Sequence, residues 1–348
     1  MLIGMMSAMR TTLTKLLETH PVLLADGATG TNYFAAGLSS GEPPEFWSAD
    51  RPDLVVDLHQ QFVDAGADII LTNTFGCNRE RLKLHKAETR VYELAKAAAM
   101  LARRVADAAS RAVVVAGSVG PTGELFEPMG ALTHETAVAS FTEEMQGLRD
   151  GGADVAWIET MSSTEEVNAA AAAAIAVGLP YVVTCSFDTA GRTMMGLAPR
   201  ALADSVAAQP TAPLAIGPNC GVGASDTLVS LLEMQDAPYA LVSKGNCGIP
   251  HFKGTEIVYT GTPELMARYA TLAIDAGARI VGGCCGTTPE HLAAMRAAID
   301  SHSRAERPTV ARIVSDIGPL TNTLPSRTIE KRPRRARSAG SAGDPAAR

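Results

Sequence analysis

Two adjacent cysteines sit inside a glycine frame, Gly282-Gly283-Cys284-Cys285-Gly286, directly after the apolar run Ala278-Arg279-Ile280-Val281. A third cysteine, in Gly217-Pro218-Asn219-Cys220-Gly221, ends another such run, Pro213-Leu214-Ala215-Ile216. Zn²⁺ takes thiolate ligands tightly, and three of them leave one tetrahedral position open, as a catalytic rather than a structural zinc site requires. A thiol entering that position loses its proton on coordination. Residue type and placement therefore point to chemistry on a thiol.

For the three sulfurs to meet, the runs that end in them must be neighbouring strands. Eight candidate strands can be read along the chain: Val22–Ala25, Asp68–Thr72, Ala112–Ala116, Val155–Glu159, Tyr181–Ser186, Leu214–Gly217, Ala240–Ser243 and Arg279–Gly282. Most are continuous apolar runs, the pattern of strands buried on both faces. Helical patterns lie between and after them at Leu54–Ala65, Val91–Ala109, Thr133–Asp150, Glu165–Val177, Pro263–Ala276 and Pro289–Ile299. Three helices end in nearly one phrase, Asp64-Ala65-Gly66-Ala67-Asp68, Asp150-Gly151-Gly152-Ala153-Asp154 and Asp275-Ala276-Gly277-Ala278-Arg279. Each reads as a glycine C-cap feeding the next strand. Eight such units predict an α/β fold, a (β/α)₈ barrel of the TIM type. The rival, a doubly wound open sheet, needs fewer units or a second domain.

In a barrel of this kind the chemistry sits at the C-terminal strand ends. Those ends carry small and polar residues: Asp26-Gly27-Ala28-Thr29-Gly30, Thr72-Asn73-Thr74, Gly117-Ser118, Glu159-Thr160, Cys185-Ser186, Asn219-Cys220, Lys244-Gly245-Asn246-Cys247 and Cys284-Cys285. Glu159 emerges from Val155-Ala156-Trp157-Ile158, and a buried acid there needs either a structural cation or a substrate ammonium. Asp26 is either a site residue or a turn cap before Gly27. His59, His85 and His134 fall on helical or loop patterns and read as surface or satisfied core histidines.

Composition bounds the rest. The 348 residues are 46% hydrophobic and 19% charged, enough apolar material for a core and inconsistent with global disorder. A net charge of −7 argues against a general nucleic-acid binder. Six cysteines in a chain this long read as free thiols or ligands in a reducing compartment, hence a cytoplasmic protein. The short apolar start Met1–Met6 lacks a basic n-region and is not read as a signal peptide, and no apolar run is long enough to span a membrane. The expected organisation is an N-terminal extension (1–20), a single barrel domain (21–302) and a disordered tail (303–348), the tail bearing the basic block Lys331–Arg337.

The motifs Asp26-Gly27-Ala28-Thr29-Gly30-Thr31, Thr72-Asn73-Thr74-Phe75, Gly217-Pro218-Asn219-Cys220 and Gly282-Gly283-Cys284-Cys285-Gly286, in this order, resemble the homocysteine S-methyltransferase family over about Leu23 to Ser301. That family includes betaine–homocysteine methyltransferase, S-methylmethionine-dependent enzymes and the homocysteine domain of cobalamin-dependent methionine synthase. The resemblance implies a zinc-bearing barrel that methylates homocysteine to methionine, with Cys220, Cys284 and Cys285 as zinc ligands. It implies Glu159 as acceptor of the substrate ammonium, Asp26 and the Gly27 amide beside the amino-acid end, and Thr72 or Thr74 near the same pocket. Cys247, in a phrase that echoes Asn219-Cys220-Gly221, is by family position a rim or core cysteine rather than a ligand; Cys77 and Cys185 read as packing thiols.

Trp47 bears on the methyl donor, because aromatic faces hold quaternary ammonium groups. It is either part of a betaine site or a core residue. Gly76 and Cys77 stand where betaine enzymes carry a tyrosine, and Tyr33 is the aromatic available in its place. The expected function is zinc-dependent homocysteine S-methylation with betaine or a related onium as donor, in a homo-oligomer. The alternatives are a homocysteine-methylating subunit served by methylcobalamin or a corrinoid protein partner, and a non-catalytic zinc and thiol binder.

Overall fold

The computed structural model describes residues 10–253 and 256–321. Eight parallel strands form one sheet: β1 (Leu23–Leu24), β2 (Ile69–Leu71), β3 (Val114–Val119), β4 (Val155–Met161), β5 (Tyr181–Cys185), β6 (Ala215–Cys220), β7 (Ala240–Gly245) and β10 (Ala278–Gly283). An antiparallel hairpin, β8 (Pro250–Lys253) and β9 (Glu256–Tyr259), is inserted after β7. The sheet order is β1-β10-β7-β6-β5-β4-β3-β2, and the Ala25–Ile69 bridge joins its two ends. The sheet is the expected (β/α)₈ barrel.

Each strand coincides with an expected apolar run, but β3, β4, β6 and β7 continue beyond it. The added stretches carry small or polar residues (Gly117 and Ser118 on β3, Thr160 on β4, Asn219 and Cys220 on β6, Lys244 and Gly245 on β7), which break the apolar run before the hydrogen-bonded ladder ends. The expected helices are α4 (Pro52–Asp64), α6 (Val91–Ala108), α7 (His134–Gly151), α8 (Thr164–Val177), α11 (Pro263–Asp275) and α12 (Pro289–Ser301). Shorter α9 (Ala201–Ala207) and α10 (Ala224–Leu232) complete the crossovers. The excursions after β1 and β2 hold α2 (Gly30–Ala35), a 3₁₀ turn (Pro44–Phe46), α3 (Trp47–Asp50) and α5 (Arg79–Lys83). Gly66, Gly152 and Gly277 adopt φ of 101°, 102° and 111°, so the repeated phrase marks left-handed turns that end α4, α7 and α11.

Side chains alternate along each strand between two cores. Leu24, Ile70, Val115, Ala156, Val183, Ile216, Leu241 and Val281 face the helices. Leu23, Ala25, Ile69, Leu71, Val114, Ala116, Val155, Trp157, Val182, Ala215, Val242 and Ile280 fill the barrel interior. The same alternation, carried one step further up the strands, turns Ser118, Glu159, Thr184, Asn219 and Lys244 inward as a polar layer above this apolar one.

The chain outside the barrel is more ordered than its composition suggests. Before it, α1 (Leu13–Thr19) sends Leu13 and Leu16 into the interior core, and Arg279 fixes its end by donating to the carbonyls of Leu17, His20 and Pro21. After it, where a disordered tail is expected from residue 303, residues 304–321 run back along the barrel with α13 (Val310–Asp316). Arg307 donates to the Leu232 carbonyl (2.7 Å), Ser225 to that of Gly318 (2.8 Å), and Thr321 to Asp226 (2.7 Å). Ile313 is fully buried. The short apolar stretch Val310–Val314 suffices here because it docks on α10 and need not form a core alone. The basic block Lys331–Arg337 lies outside the described residues.

Because Leu13 is 1% exposed and seals the lower end of the interior core, Leu13→Ala is expected to cost about 2–5 kcal/mol, as other large-to-small core changes do. Urea unfolding should show a lower midpoint with an unchanged slope.

Candidate active site

The polar layer opens at the C-terminal ends of the strands, and three sulfurs lie at its edge. Cys220 ends β6, and Cys284 and Cys285 follow β10. Their sulfurs all lie within 4.8 Å of one another, and they are the one such group of potential metal ligands among the described residues. Cys220 Sγ and Cys285 Sγ are 3.8 Å apart. Two sulfurs each ~2.3 Å from a tetrahedral ion stand about 3.8 Å apart, so this spacing fits a metal ion that takes thiolate ligands.

The backbone around the sulfurs is over-determined. The Cys284 amide donates to the Gly245 carbonyl (2.8 Å), and the Cys285 amide to Asn246 Oδ1 (3.1 Å). Cys220 itself sits at φ 57°, a left-handed conformation that a non-glycine residue holds only when its surroundings impose it. Gly286, at φ 81°, lets the chain turn beneath Tyr259, whose ring would lie 2.3 Å from any Cβ added there. Hydrogen bonds from Cys220 and Cys284, with burial opposing and the Tyr259 hydroxyl assisting, hold the Cys285 thiol well below the ordinary range. The same sharing, with Cys284 contributing most, pushes Cys220 well up.

Cys247 is not part of the trio. Its sulfur donates to the Gly261 carbonyl (3.2 Å) at the root of the hairpin, and it is 1% exposed. Cys77 and Cys185 are fully buried, as packing thiols are. His59 is buried with both ring nitrogens unpartnered rather than satisfied, and burial lowers its pKa to about 4, so it is neutral.

Glu159 points into the layer from β4 and is 8% exposed. Burial first of all raises its pKa to about 7, against the opposing pull of Lys244 and of the Ser118 hydroxyl, which donates to Oε1 at 2.5 Å. Thr72 and Thr74 act one step behind it. Their hydroxyls bond each other (2.6 Å), Thr72 accepts from the Ser118 amide (3.0 Å) and Thr74 donates to the Ser118 carbonyl (2.6 Å). The next residue, Thr160, is held at φ 64° by Asn219, which accepts from its amide (3.0 Å) and donates to its hydroxyl (2.7 Å).

Asp26, just past β1, is 1% exposed and has both oxygens engaged. Oδ2 accepts from the Leu71 amide (2.7 Å) and Oδ1 from the Lys244 ammonium (2.9 Å). Gly27 is equally enclosed, for an added Cβ would stand 2.9 Å from Phe62 and from Thr287.

Trp47 is packed rather than open. Its ring lies 5.1 Å from that of Tyr33, Arg51 covers it at 5.4 Å, and its indole nitrogen donates to Glu42 (3.0 Å). Tyr33 is different: its hydroxyl is buried without a partner, and burial and then the charge of Asp26 push its pKa up.

Sequence reasoning gave no role to Ser118, Asn219, Lys244, Asn246 or Tyr259. Strand alternation is the signal that finds the first three. Nothing local marks Asn246 or Tyr259, whose positions depend on the loop and hairpin after β7.

Fold and site together define a (β/α)₈ enzyme with a three-cysteine cluster and a buried carboxylate at the catalytic end. The family model for homocysteine S-methyltransferase matches residues 23–299. The chain is 31% identical to the methionine synthases of Mycobacterium tuberculosis (303 residues) and Mycobacterium leprae (305 residues), in each case over 82% of its own length. It spans only 25% of those relatives. Two crystal structures of the homocysteine methyltransferase MmuM from Escherichia coli, oxidized and metallated, superpose with TM-scores of 0.70 and 0.69 at 26% identity. They cover 83% and 82% of this chain and 99% of MmuM. The chain belongs to the homocysteine S-methyltransferase family and is a methyltransferase.

The Ser118 hydroxyl lowers the Glu159 pKa, so Ser118→Ala should raise it further, by about one pH unit for a bond of ordinary strength to a charged group. The carboxylate ¹³C shift of Glu159, followed through pH, reads this directly.

Proposed function

We propose that this barrel is a zinc-dependent homocysteine S-methyltransferase that makes methionine. The observation that carries the reading is the convergence of Cys220, Cys284 and Cys285 at the same strand ends as the buried Glu159. Zn²⁺ bound by the three cysteines would keep the homocysteine sulfur, otherwise mostly protonated near neutral pH with a pKa of about 8.5, as a nucleophilic thiolate.

The protein's own residues do the rest. Glu159, oriented by Ser118 and by the Asn219 clamp on Thr160, accepts the substrate ammonium. The Gly27 turn borders the amino-acid end. With both ends fixed, the sulfur approaches the methyl carbon in line with the departing group. The new S–C bond forms as the bond to the donor breaks, and the donor keeps that electron pair. Positioning of this kind supplies much of an enzyme's acceleration.

For the donor, the reading is betaine or a related small onium compound, which a barrel of this size can bind without a further protein; the chain covers 99% of the homocysteine methyltransferase MmuM. A corrinoid protein carrying the methyl group is the second reading. It is favoured by two observations: Arg51 already occupies the Trp47 face that a quaternary ammonium would use, and the methionine synthase relatives extend well beyond the matched quarter.

The deciding assay measures methionine formation by zinc-loaded protein from homocysteine with betaine, S-methylmethionine, dimethylsulfoniopropionate or methylcobalamin. Turnover with an onium compound supports the first reading, and turnover with methylcobalamin alone supports the second. Failure with all four, despite stoichiometric zinc, would shift the reading to a subunit that needs a corrinoid protein partner. Independently, Cys285→Ala is expected to lose both tightly bound zinc and activity; full zinc content by metal analysis would remove this cysteine from the ligand set.

A further inference from the structure

The polar layer contains one buried cation, and neither motif nor family comparison assigns it a role. Lys244 projects inward from β7, paired in register with Asn219 of β6 and Gly282 of β10. Its side chain is 3% exposed. Gly282 makes room for it, since a Cβ there would stand 3.1 Å from Lys244 Cγ. The ammonium reaches Asp26 Oδ1 at 2.9 Å and lies 5.7 Å from the Trp157 ring, the large side chain beneath the layer. A lysine is seldom buried this fully unless something requires its charge.

Two carboxylates meet that charge from different sides of the barrel. Asp26 follows β1, and Glu159 stands on β4. Each oxygen of Asp26 already accepts a hydrogen bond, one from the Leu71 amide and the other from Lys244. Among the described residues, Ser118 is the one hydrogen-bond donor to Glu159, at Oε1. The two acids, alike in sequence prominence, are therefore unlike in availability.

Resting on the reading that homocysteine is the acceptor, we propose that Lys244 is a positioning residue for the amino-acid end of the substrate. It pins Asp26 against the β2 amide and leaves Glu159 as the carboxylate that receives the substrate ammonium. The electrostatics agree in direction: Lys244 is the largest influence opposing the effect of burial on Glu159, and its own pKa is raised by Asp26 and Glu159 despite its burial. Asp26 thus serves the barrel seam and the lysine rather than the substrate.

The test compares two thiols on zinc-loaded protein by calorimetric titration: homocysteine and 4-mercaptobutanoate, which keeps the thiol and carboxylate but lacks the amine. In Lys244→Met, homocysteine is expected to bind ~10-fold or more weakly, the size of a lost charge-assisted hydrogen bond. Binding of 4-mercaptobutanoate should stay within about twofold, because it makes no use of Glu159. Zinc content should not change, KM for homocysteine should rise with kcat nearly preserved, and Lys244→Arg should recover most of the loss. Lys244→Met leaves Asp26 as an uncompensated buried charge and is the variant at risk of misfolding. The double variant Lys244→Met/Asp26→Asn removes that charge and should show the same narrowed preference for homocysteine. Equal weakening of both thiols, or an unchanged preference, would overturn the role of Lys244. If the wild-type protein methylates homocysteine in the same experiment, only that role falls; if it binds neither thiol, the functional reading falls with it.

Discussion

Ring closure at the β1–β2 seam is the constraint on which the remaining geometry depends. β1 contributes only two residues to the sheet, and a single bridge, Ala25 to Ile69, joins it to β2. Side chains make up the shortfall. Asp68 accepts the Leu24 amide (2.8 Å), and Asp26 accepts the Leu71 amide (2.7 Å), each taking the place of a missing ladder carbonyl. An unpaired buried amide is costly, so these carboxylates complete the ladder by the same accounting that governs any strand. Burial pushes the Asp26 carboxyl above its ordinary range, and Lys244, crossing from β7 to meet it, pulls in the opposite direction.

From the seam outward, the site follows as a sequence of supports. Thr72 and Thr74 at the end of β2 hold the backbone of Ser118 on β3, Ser118 holds Glu159 on β4, and Asn219 on β6 grips Thr160 beside it. The cysteine cluster is supported from the opposite arc, where β7 and the loop after it carry the backbone of Cys284 and Cys285. The two halves of the site, the cysteine cluster and the buried carboxylate, therefore sit on different arcs of one ring. Their separation is fixed by barrel geometry rather than by any loop.

Much of this was legible in the residues. Apolar runs located all eight barrel strands, and the repeated glycine phrase marked true left-handed helix ends. The cysteine trio was legible because thiolate ligands are rare and their glycine frame is distinctive. The hairpin after β7 escaped notice because its strands lie outside the alternating αβ rhythm. The order of residues 304–321 escaped for another reason: Val310–Val314 is weakly apolar, and its stability derives from docking on α10, which no local pattern reports. Thr72 and Thr74 were expected near the pocket, but that their hydroxyls serve the Ser118 backbone depends on a third strand. Trp47 illustrates the same limit, for its cover by Arg51 involves a residue with no aromatic or donor-binding signature.

The double duty of Asp26 changes what a genetic screen of this protein would report. At Glu159 a neutral replacement alters the pocket while the β-ladder around it stays complete, so a loss of methyl transfer there speaks of chemistry. At position 26 loss of the side chain would remove a ladder acceptor and an ion pair and disturb the neighbourhood of the Gly27 turn at once. Intolerance at that position would be recorded as strongly as at a reacting residue, though its origin lies in the mechanical integrity of a ring.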